Sequence, residues 1–178
     1  HLQALKGQLE AGEVERAIAY IEELDHQLMN VDTLLKTGNV SLDAILSAKI
    51  AQAKAENIAV DVKASVPDSL TITDVELSIL VGNLLDNAIE GCEKNRIPSQ
   101  IILSISAYAG YYRVIIKNTI EKSILRDNKK LRTDKSNKQK HGWGLKSVYD
   151  IAEVHQGDVD IYEKNGMFIV NVLMMKNE

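Results

Sequence analysis

Polar side chains interrupt an otherwise apolar helical pattern between residues 75 and 94. Asn83, Asn87 and Glu90 fall at i, i+4 and i+7, which places them on one helix face, and Asp86 lies beside them. These groups need partners, because an unpaired buried amide costs about 1–3 kcal/mol. The partners are either protein groups in a structural hydrogen-bond network or a ligand. Amide oxygens suit a hard cation such as Mg²⁺ and the phosphates that accompany it.

A glycine-containing segment forms a second candidate site, at the point where a basic loop meets a helix. Its residues are His141-Gly142-Trp143-Gly144-Leu145-Lys146-Ser147. Glycines there let the backbone approach a ligand closely, and a helix N-terminus offers free N–H groups and a partial positive charge. A tight turn explains Gly-x-Gly equally well, so this pattern alone leaves phosphate binding open.

The loop before that segment, residues 122–140, favours phosphate binding. It contains eight Lys or Arg against two Asp, which is a net charge of +6. A loop of this length within a compact domain is usually functional or mobile. It is either a solvated insertion or a cationic flap that closes on an anionic ligand, and we favour the flap. Nucleic-acid binding would require aromatic residues among the charges, and this segment has none.

The composition excludes several other classes of protein. The chain has 178 residues, of which 45% are hydrophobic and 26% charged, so it is neither disordered nor collagen-like. The single cysteine, Cys92, excludes an internal disulfide and a cysteine-rich metal site. No apolar run approaches the ~18 residues that a membrane span needs. Because the chain begins with His1, we expect a processed or excised piece whose membrane segment, if there is one, lies upstream.

The elements that position the candidate residues fall into two parts, and residues 1–37 show only helical patterns. An apolar seam with alternating steps of three and four follows a break at Ala11-Gly12. The seam residues are Val14, Ala17, Ile21, Leu24, Leu28, Val31 and Leu35. This stripe belongs either to an amphipathic helix on its own domain or to a helical hairpin that dimerises. We favour the hairpin, because the first helix is short and the seam continues past its end.

Residues 38–178 show mixed helical and strand patterns. Ser41 is a candidate cap for a first helix. The apolar face of that helix contains Leu42, Ile45, Leu46, Ile50 and Ala53. Thr73 and Glu76 form a capping box that opens the helix with the Asn residues, which extends to about Lys94.

Five strands and a third helix complete the pattern. The strands are expected at about residues 58–66, 100–107, 111–118, 158–163 and 167–174, and the helix at 143–155. Asn165-Gly166 is a strong hairpin signal between the last two strands. Strands joined mainly by hairpins, with helices between them, predict an α+β fold with a mixed or antiparallel sheet and helices on one face.

Together these features resemble the GHKL, or Bergerat-fold, ATP-binding domain, and most closely the cytoplasmic part of sensor histidine kinases in the branch that senses peptide pheromones. Residues 83–90 resemble the N box, and residues 141–147 resemble the final glycine box. His1-Leu2-Gln3-Ala4-Leu5 resembles the end of the helix motif His-Asp-x-x-Asn-His-Leu. The resemblance implies a Bergerat-type sandwich at 38–178, with a mixed, mostly antiparallel sheet, preceded by a truncated dimerisation hairpin at 1–37.

The resemblance also implies that ATP and Mg²⁺ are the cofactors. Asn87 would coordinate Mg²⁺, Asn83 would lie near the phosphates, and the turn Gly142–Leu145 would cradle phosphates under a lid formed by residues 122–140. The residues implied to bind the cofactor are Asn83, Asp86, Asn87, Asn118, His141, Gly142, Trp143, Gly144 and Leu145.

Three positions depart from the pattern of many members. Asn118 stands at the Asp of an Asp-x-Gly-x-Gly box that reads adenine, and the glycines of that box are absent. Glu90 stands where many histidine kinases have a basic residue. Asn83 stands where members that hydrolyse ATP have a Glu as general base, and an amide cannot take a proton from water at neutral pH. The resemblance therefore favours phosphoryl transfer to a partner group over hydrolysis.

The phosphate acceptor in such kinases is the first histidine of the helix motif, whereas His1 matches the second. We therefore expect the acceptor five residues before His1, outside this chain, although His1 itself is an alternative. The implied partners are a response regulator and a second copy of the chain, bound through the N-terminal helices, on the cytoplasmic side of a membrane-anchored parent. The rival hypothesis is a GHKL scaffold that dimerises and docks a regulator without nucleotide. A nucleic-acid binder that uses the basic loop is a third, weaker hypothesis.

Overall fold

The computed structural model describes residues 37–65, 72–108, 110–126 and 143–175, together with Val14 and Ile18. The chain divides into two units, and the second, Leu35–Glu178, contains all the elements described below. The helical hairpin expected at residues 1–37 and most of the lid lie outside the described residues. The division of the chain at residue 37 therefore stays a prediction.

Three helices and five strands follow one another in the described part of the second unit. Their bounds are α1 Val40–Ala55, β1 Ala59–Ala64, α2 Asp74–Glu93, β2 Gln100–Tyr108, β3 Tyr111–Thr119, α3 Trp143–Val154, β4 Asp158–Lys164 and β5 Met167–Met175. The order is the one that the sequence predicts, and most bounds agree within one or two residues. None of the helices in the described residues is long and apolar enough to cross a bilayer.

The strands form one mixed sheet in the order β1-β2-β3-β5-β4. β1 pairs with β2 in parallel, whereas the other three pairings are antiparallel. Along β3 every second residue is buried, which indicates that one face of the sheet is covered. The buried residues of this strand are Tyr112, Val114, Ile116 and Asn118. The predicted α+β class and mostly antiparallel sheet are confirmed.

Helix α1 begins earlier than expected, because Asn39 rather than Ser41 is its N-cap. Asn39 has extended backbone angles, and its Oδ1 accepts a hydrogen bond of 2.9 Å from the Leu42 N–H. Its Nδ2 donates to Asp74 Oδ1 at 2.6 Å, so the same side chain links the starts of α1 and α2. Ser41 is already helical and cannot serve as the cap. The buried face of α1 is Leu42, Leu46, Ile50 and Ala53, and Ile45 is half-buried.

The predicted capping box opens α2. Thr73 Oγ1 accepts a hydrogen bond from the Glu76 N–H at 3.2 Å, and Glu76 Oε2 accepts one from the Thr73 N–H at 2.9 Å. These bonds, with the nearby His155, hold the pKa of Glu76 below its ordinary value. The box pairs otherwise free N–H groups and determines where the first residues of α2 begin.

Candidate functional site

Helix α2 carries the candidate residues on a face that is only partly covered. Its opposite side packs in the core through Leu77, Leu80, Val81, Leu84, Leu85, Ala88, Ile89 and Cys92. Asn83, Asn87 and Gly91 are half-buried, and their spacing of four places them on three successive turns of one face. The heavily buried side anchors the helix, so these three residues are held in a fixed row.

Gly144, in the first turn of α3, lies against the first two residues of this row. A Cβ at position 144 would lie 3.6 Å from both Nδ2 and Oδ1 of Asn87, and 3.8 Å from Oδ1 of Asn83. Since Gly144 has no side chain, this space beside the two amides is left open. The fold therefore brings together Asn83, Asn87 and Gly144, which belong to two motifs about 60 residues apart in the sequence.

The amide nitrogen of Asn87 has no hydrogen-bond partner among the described residues. This atom, Nδ2, is buried. An unsatisfied buried donor costs about 1–3 kcal/mol, and such groups in native proteins call for an explanation such as a ligand. A phosphate oxygen satisfies an amide N–H₂ group, and the Oδ1 of the same amide suits Mg²⁺. The residues present thus fit a magnesium–phosphate group.

Two acidic residues beside the row are engaged elsewhere. Asp86 is exposed and forms an ion pair with Lys49 of α1. Glu90 lies 3.6 Å from the Lys94 ammonium, one helical turn away. The ion pair with Lys49 directs the Asp86 carboxylate to α1. The assignment of Asp86 to the cofactor stays a prediction.

Asn118 lies near the third residue of the row, at the end of the central strand β3. It is 3% exposed, and its Nδ2 atom donates to the Thr119 carbonyl at 3.2 Å. A Cβ at Gly91 would lie 2.9 Å from that Nδ2 atom. Asn118 therefore faces α2 one turn beyond Asn87, which places the two predicted ends of a nucleotide site along one helix face.

The glycine segment is described only in part. His141 and Gly142 lie outside the described residues, and the side chain of Trp143 is also outside them. The backbone of Trp143 begins α3, and Leu145 is half-buried. Their roles toward a cofactor stay predictions.

Glu163 of β4 binds the first residues of the segment predicted to form a lid, a feature that no sequence pattern indicated. Its Oε2 atom accepts a hydrogen bond from Ser123 Oγ at 2.6 Å. Its Oε1 atom accepts two more, from the N–H groups of Ile124 at 2.6 Å and Leu125 at 2.9 Å. A surface cavity of about 250 Å³ beside this segment is lined by residues 120–123 and 163–166, and it includes no residue of the row on α2.

Burial raises the pKa of the Glu163 carboxyl, but the three hydrogen bonds lower it by more, so the pKa in the folded chain is below its ordinary value of 4.5. A carboxyl whose pKa is depressed in the folded chain stabilises the fold at pH values above its ordinary pKa. This stabilisation is lost as the pH falls through the pKa of the folded chain. We therefore expect Glu163→Gln to lower the free energy of unfolding at pH 7 by more than it does below pH 4. Urea unfolding at a series of pH values measures this difference.

Glu93→Gln serves as the control, because Glu93 is an exposed carboxylate at the end of α2 and the substitution removes the same charge. We expect Glu93→Gln to change the free energy of unfolding by little, without the pH dependence expected for Glu163→Gln. A loss of stability in Glu163→Gln that stays constant from pH 7 to pH 3 would contradict the role of the ionised carboxylate.

Comparison with known proteins agrees with the fold described above. The family model of the GHKL domain matches residues 72–175, more than half of the chain. The sensor histidine kinase NatK of Bacillus subtilis is 28% identical over 120 residues, which are 67% of this chain and 37% of NatK. The chain thus spans little more than a third of that relative's length.

Solved structures show the same fold. The catalytic domain of the histidine kinase ThkA aligns with a TM-score of 0.64 and 18% identity, over 79% of this chain and 95% of that domain. Full-length ShkA in complex with AMPPNP aligns with a TM-score of 0.60 and 17% identity, over 90% of this chain and 38% of ShkA. Because the family model of the GHKL domain matches more than half of the chain, the chain belongs to the GHKL domain family, and it has the fold of histidine kinase catalytic domains.

Proposed function

We propose that this chain binds Mg-ATP along the row Asn83, Asn87 and Gly91 and directs its γ-phosphoryl group to a histidine. The observation that carries the proposal is the buried, unpartnered Nδ2 of Asn87 beside the open space at Gly144. ShkA, whose structure has this fold, is complexed with the ATP analogue AMPPNP, which supports a nucleotide as the ligand.

Different residues would bind different parts of the nucleotide. Asn87 would hold Mg²⁺ through Oδ1, and Asn83 would contact the phosphates. The backbone N–H groups at the start of α3 would bind phosphate oxygens, because a helix N-terminus offers unpaired donors. Mg²⁺ would neutralise phosphate charge. Asn118 would contact the base at the other end of the row.

The absence of a carboxylate at position 83 favours transfer over hydrolysis. The Asn83 Oδ1 lies near Gly144, at the place where the phosphates would bind. An amide oxygen is too weak a base to activate water at neutral pH. We therefore propose that the chain orients ATP for attack by a histidine imidazole and leaves bound ATP largely intact when no acceptor is present.

The functions of the longer protein belong to the same proposal. They are autophosphorylation of a histidine on the N-terminal helices, relay to a response regulator, dimerisation through those helices and a membrane-anchored parent that senses a peptide pheromone. NatK, a sensor histidine kinase, supports the kinase part of this proposal, since it is a homologue of which this chain spans 37%.

Incubation of the chain with Mg²⁺ and ATP labelled at the γ-phosphate tests the reaction. We expect ATP to bind with little release of free phosphate. Covalent label that is labile in acid and stable in base would indicate phosphohistidine, and its loss in His1→Ala would assign the acceptor to His1. Sustained release of free phosphate by the purified chain, without a protein acceptor, would contradict the preference for transfer.

The scaffold hypothesis remains as a second candidate because Asn118 is not followed by the glycines of an Asp-x-Gly-x-Gly box. That hypothesis requires that the chain bind no nucleotide. It also requires that partner binding be undiminished by Asn87→Ala. Binding of Mg-ATP by the parent chain would reject it.

A further inference from the structure

Gly91 is a glycine in the last turn of helix α2, and no change of direction in the backbone accounts for it. Position 91 lies three residues before the C-cap Lys94, and its backbone is helical without a positive φ. Glycine in a helix interior costs about 1 kcal/mol relative to alanine. Something other than local backbone geometry must therefore explain why no side chain is present.

The contact with Asn118 provides that reason. A Cβ at position 91 would approach Asn118 Nδ2 to 2.9 Å, which is closer than such carbons come to their neighbours. The other glycine of α2, Gly82, has no comparable contact, since its Cβ would lie 3.9 Å from the nearest heavy atom, Ile45 Cγ2. Of the two glycines of α2, therefore, Gly91 is the one that leaves space for another side chain.

Hydrogen bonds around Thr119 determine which way the Asn118 amide points. The Thr119 carbonyl accepts from Asn118 Nδ2 at 3.2 Å and from Asn95 Nδ2 at 2.8 Å. The Asn95 amide is itself held, because its Oδ1 accepts from the Glu121 N–H at 3.2 Å. A carbonyl oxygen can only accept, so Asn118 must present Nδ2 to it. In this orientation Oδ1 is the atom of the Asn118 amide that can accept a hydrogen bond from a ligand.

We propose that Gly91 is a positioning residue for base recognition, because its missing side chain lets the Asn118 amide take the orientation in which Oδ1 accepts a hydrogen bond. The inference rests on the proposed nucleotide site. An acceptor at this position selects a purine with an amino group at position 6, as in adenine. It disfavours a purine with an oxygen there, as in guanine, since two acceptors repel each other.

The alanine substitution separates positioning from folding. Asn118 Nδ2 is the far end of a flexible side chain, so Gly91→Ala can be accommodated by rotation of that amide, and alanine also favours the helix. A purely structural glycine would change stability alone. A positioning glycine changes the ratio of affinities for two bases.

The test compares Mg-ATP with the Mg complex of purine riboside triphosphate, which lacks the 6-amino group, by calorimetric titration. The proteins are the parent chain, Gly91→Ala and the matched control Gly82→Ala. One hydrogen bond is worth on the order of tenfold in affinity, so we expect the parent and Gly82→Ala to prefer Mg-ATP by about that factor. We expect Gly91→Ala to lower this ratio toward one, with both variants folded as judged by thermal unfolding.

The outcomes separate the inference from the proposed function. A Gly91→Ala variant that keeps the parent's ratio would overturn the inference. A parent that binds both triphosphates equally would also overturn it, while leaving the magnesium–phosphate site in place. A parent that binds neither triphosphate would instead reject the proposed nucleotide site itself.

Discussion

Substitution of Asn87 by alanine is expected to weaken Mg-ATP binding by about 100-fold or more without lowering the stability of the fold. In the proposed site the substitution removes both a metal ligand and a hydrogen bond to a charged group, and one such bond alone is worth roughly 10- to 100-fold. Stability is expected to stay the same or to rise, because the Asn87 Nδ2 is buried without a partner in the described part of the chain. Calorimetric titration and urea unfolding measure the two effects.

Ser78→Ala is the matched control for this substitution. Ser78 lies on the same helix, and its Oγ is also buried without a hydrogen-bond partner among the described residues. It precedes the row by more than one turn, so its removal should leave nucleotide affinity unchanged. Equal loss of affinity in the two variants, or unfolding of Asn87→Ala, would contradict the assignment of Asn87 to the ligand.

The second large effect is expected on stability, in Gly157→Ala. A Cβ at position 157 would lie 2.0 Å from the Leu173 carbonyl oxygen and 3.0 Å from the Ala152 carbonyl oxygen. The first oxygen belongs to β5 and the second to α3. Both are backbone atoms, so neither can move away without displacing its strand or helix. Overpacking of this kind costs typically 1–3 kcal/mol and occasionally more, and we expect about 3 kcal/mol.

Urea unfolding of Gly157→Ala, compared with Gly82→Ala, measures this cost. Gly82→Ala adds the same methyl group where only an ordinary contact at 3.9 Å awaits it, and helix propensity should raise stability by up to about 1 kcal/mol. A Gly157→Ala variant as stable as the parent would show that α3 and β5 are not held this closely. Since α3 carries Gly144 at its other end, this contact also helps to place the glycine segment against α2.

Much of the fold follows from local sequence patterns. The capping box at Thr73 and Glu76 is a short-range signal, and it marks the start of α2 correctly. The Asn165-Gly166 turn has φ values of 53° and 73°, as the mirror-image hairpin turn requires, and it separates β4 from β5 as predicted. Such signals depend on neighbours within a few residues, and they are therefore readable without the structure.

Other features depend on residues that are distant in sequence, and sequence patterns could not show them. Asn39 and Ser41 are both good caps, and the bond from Asn39 to Asp74, 35 residues away, is part of what favours Asn39. Glu163 meets Ser123 across 40 residues because β4 is an edge strand of the sheet. Gly91 was given no role from the sequence, although a glycine within a helix is unfavourable unless its missing side chain serves a purpose.

The contact between the two motifs could be predicted from the sequence only in part. The types and spacing of Asn83 and Asn87 were compatible with a ligand site or with a structural network, and the segment with Gly144 with phosphate contact or with a tight turn. Nothing in the sequence gave the distance between them. The packing of α3 on α2 places a Cβ position of Gly144 within 4 Å of both amides. The assignment of these residues to ATP is the central proposal, and it can be tested at the amides themselves.

The most direct measurement is the nuclear magnetic resonance signal of the asparagine side-chain N–H₂ groups, with AMPPNP added in the presence of Mg²⁺ or of a chelator. We expect the Asn87 signal to shift strongly only with Mg²⁺, and the Asn118 signal to shift in the same titration. Asn171, whose Oδ1 accepts from Arg113 at 2.8 Å on the sheet, is the internal control and should not shift. Unchanged Asn87 and Asn118 signals at saturating Mg²⁺ and AMPPNP would contradict the nucleotide site.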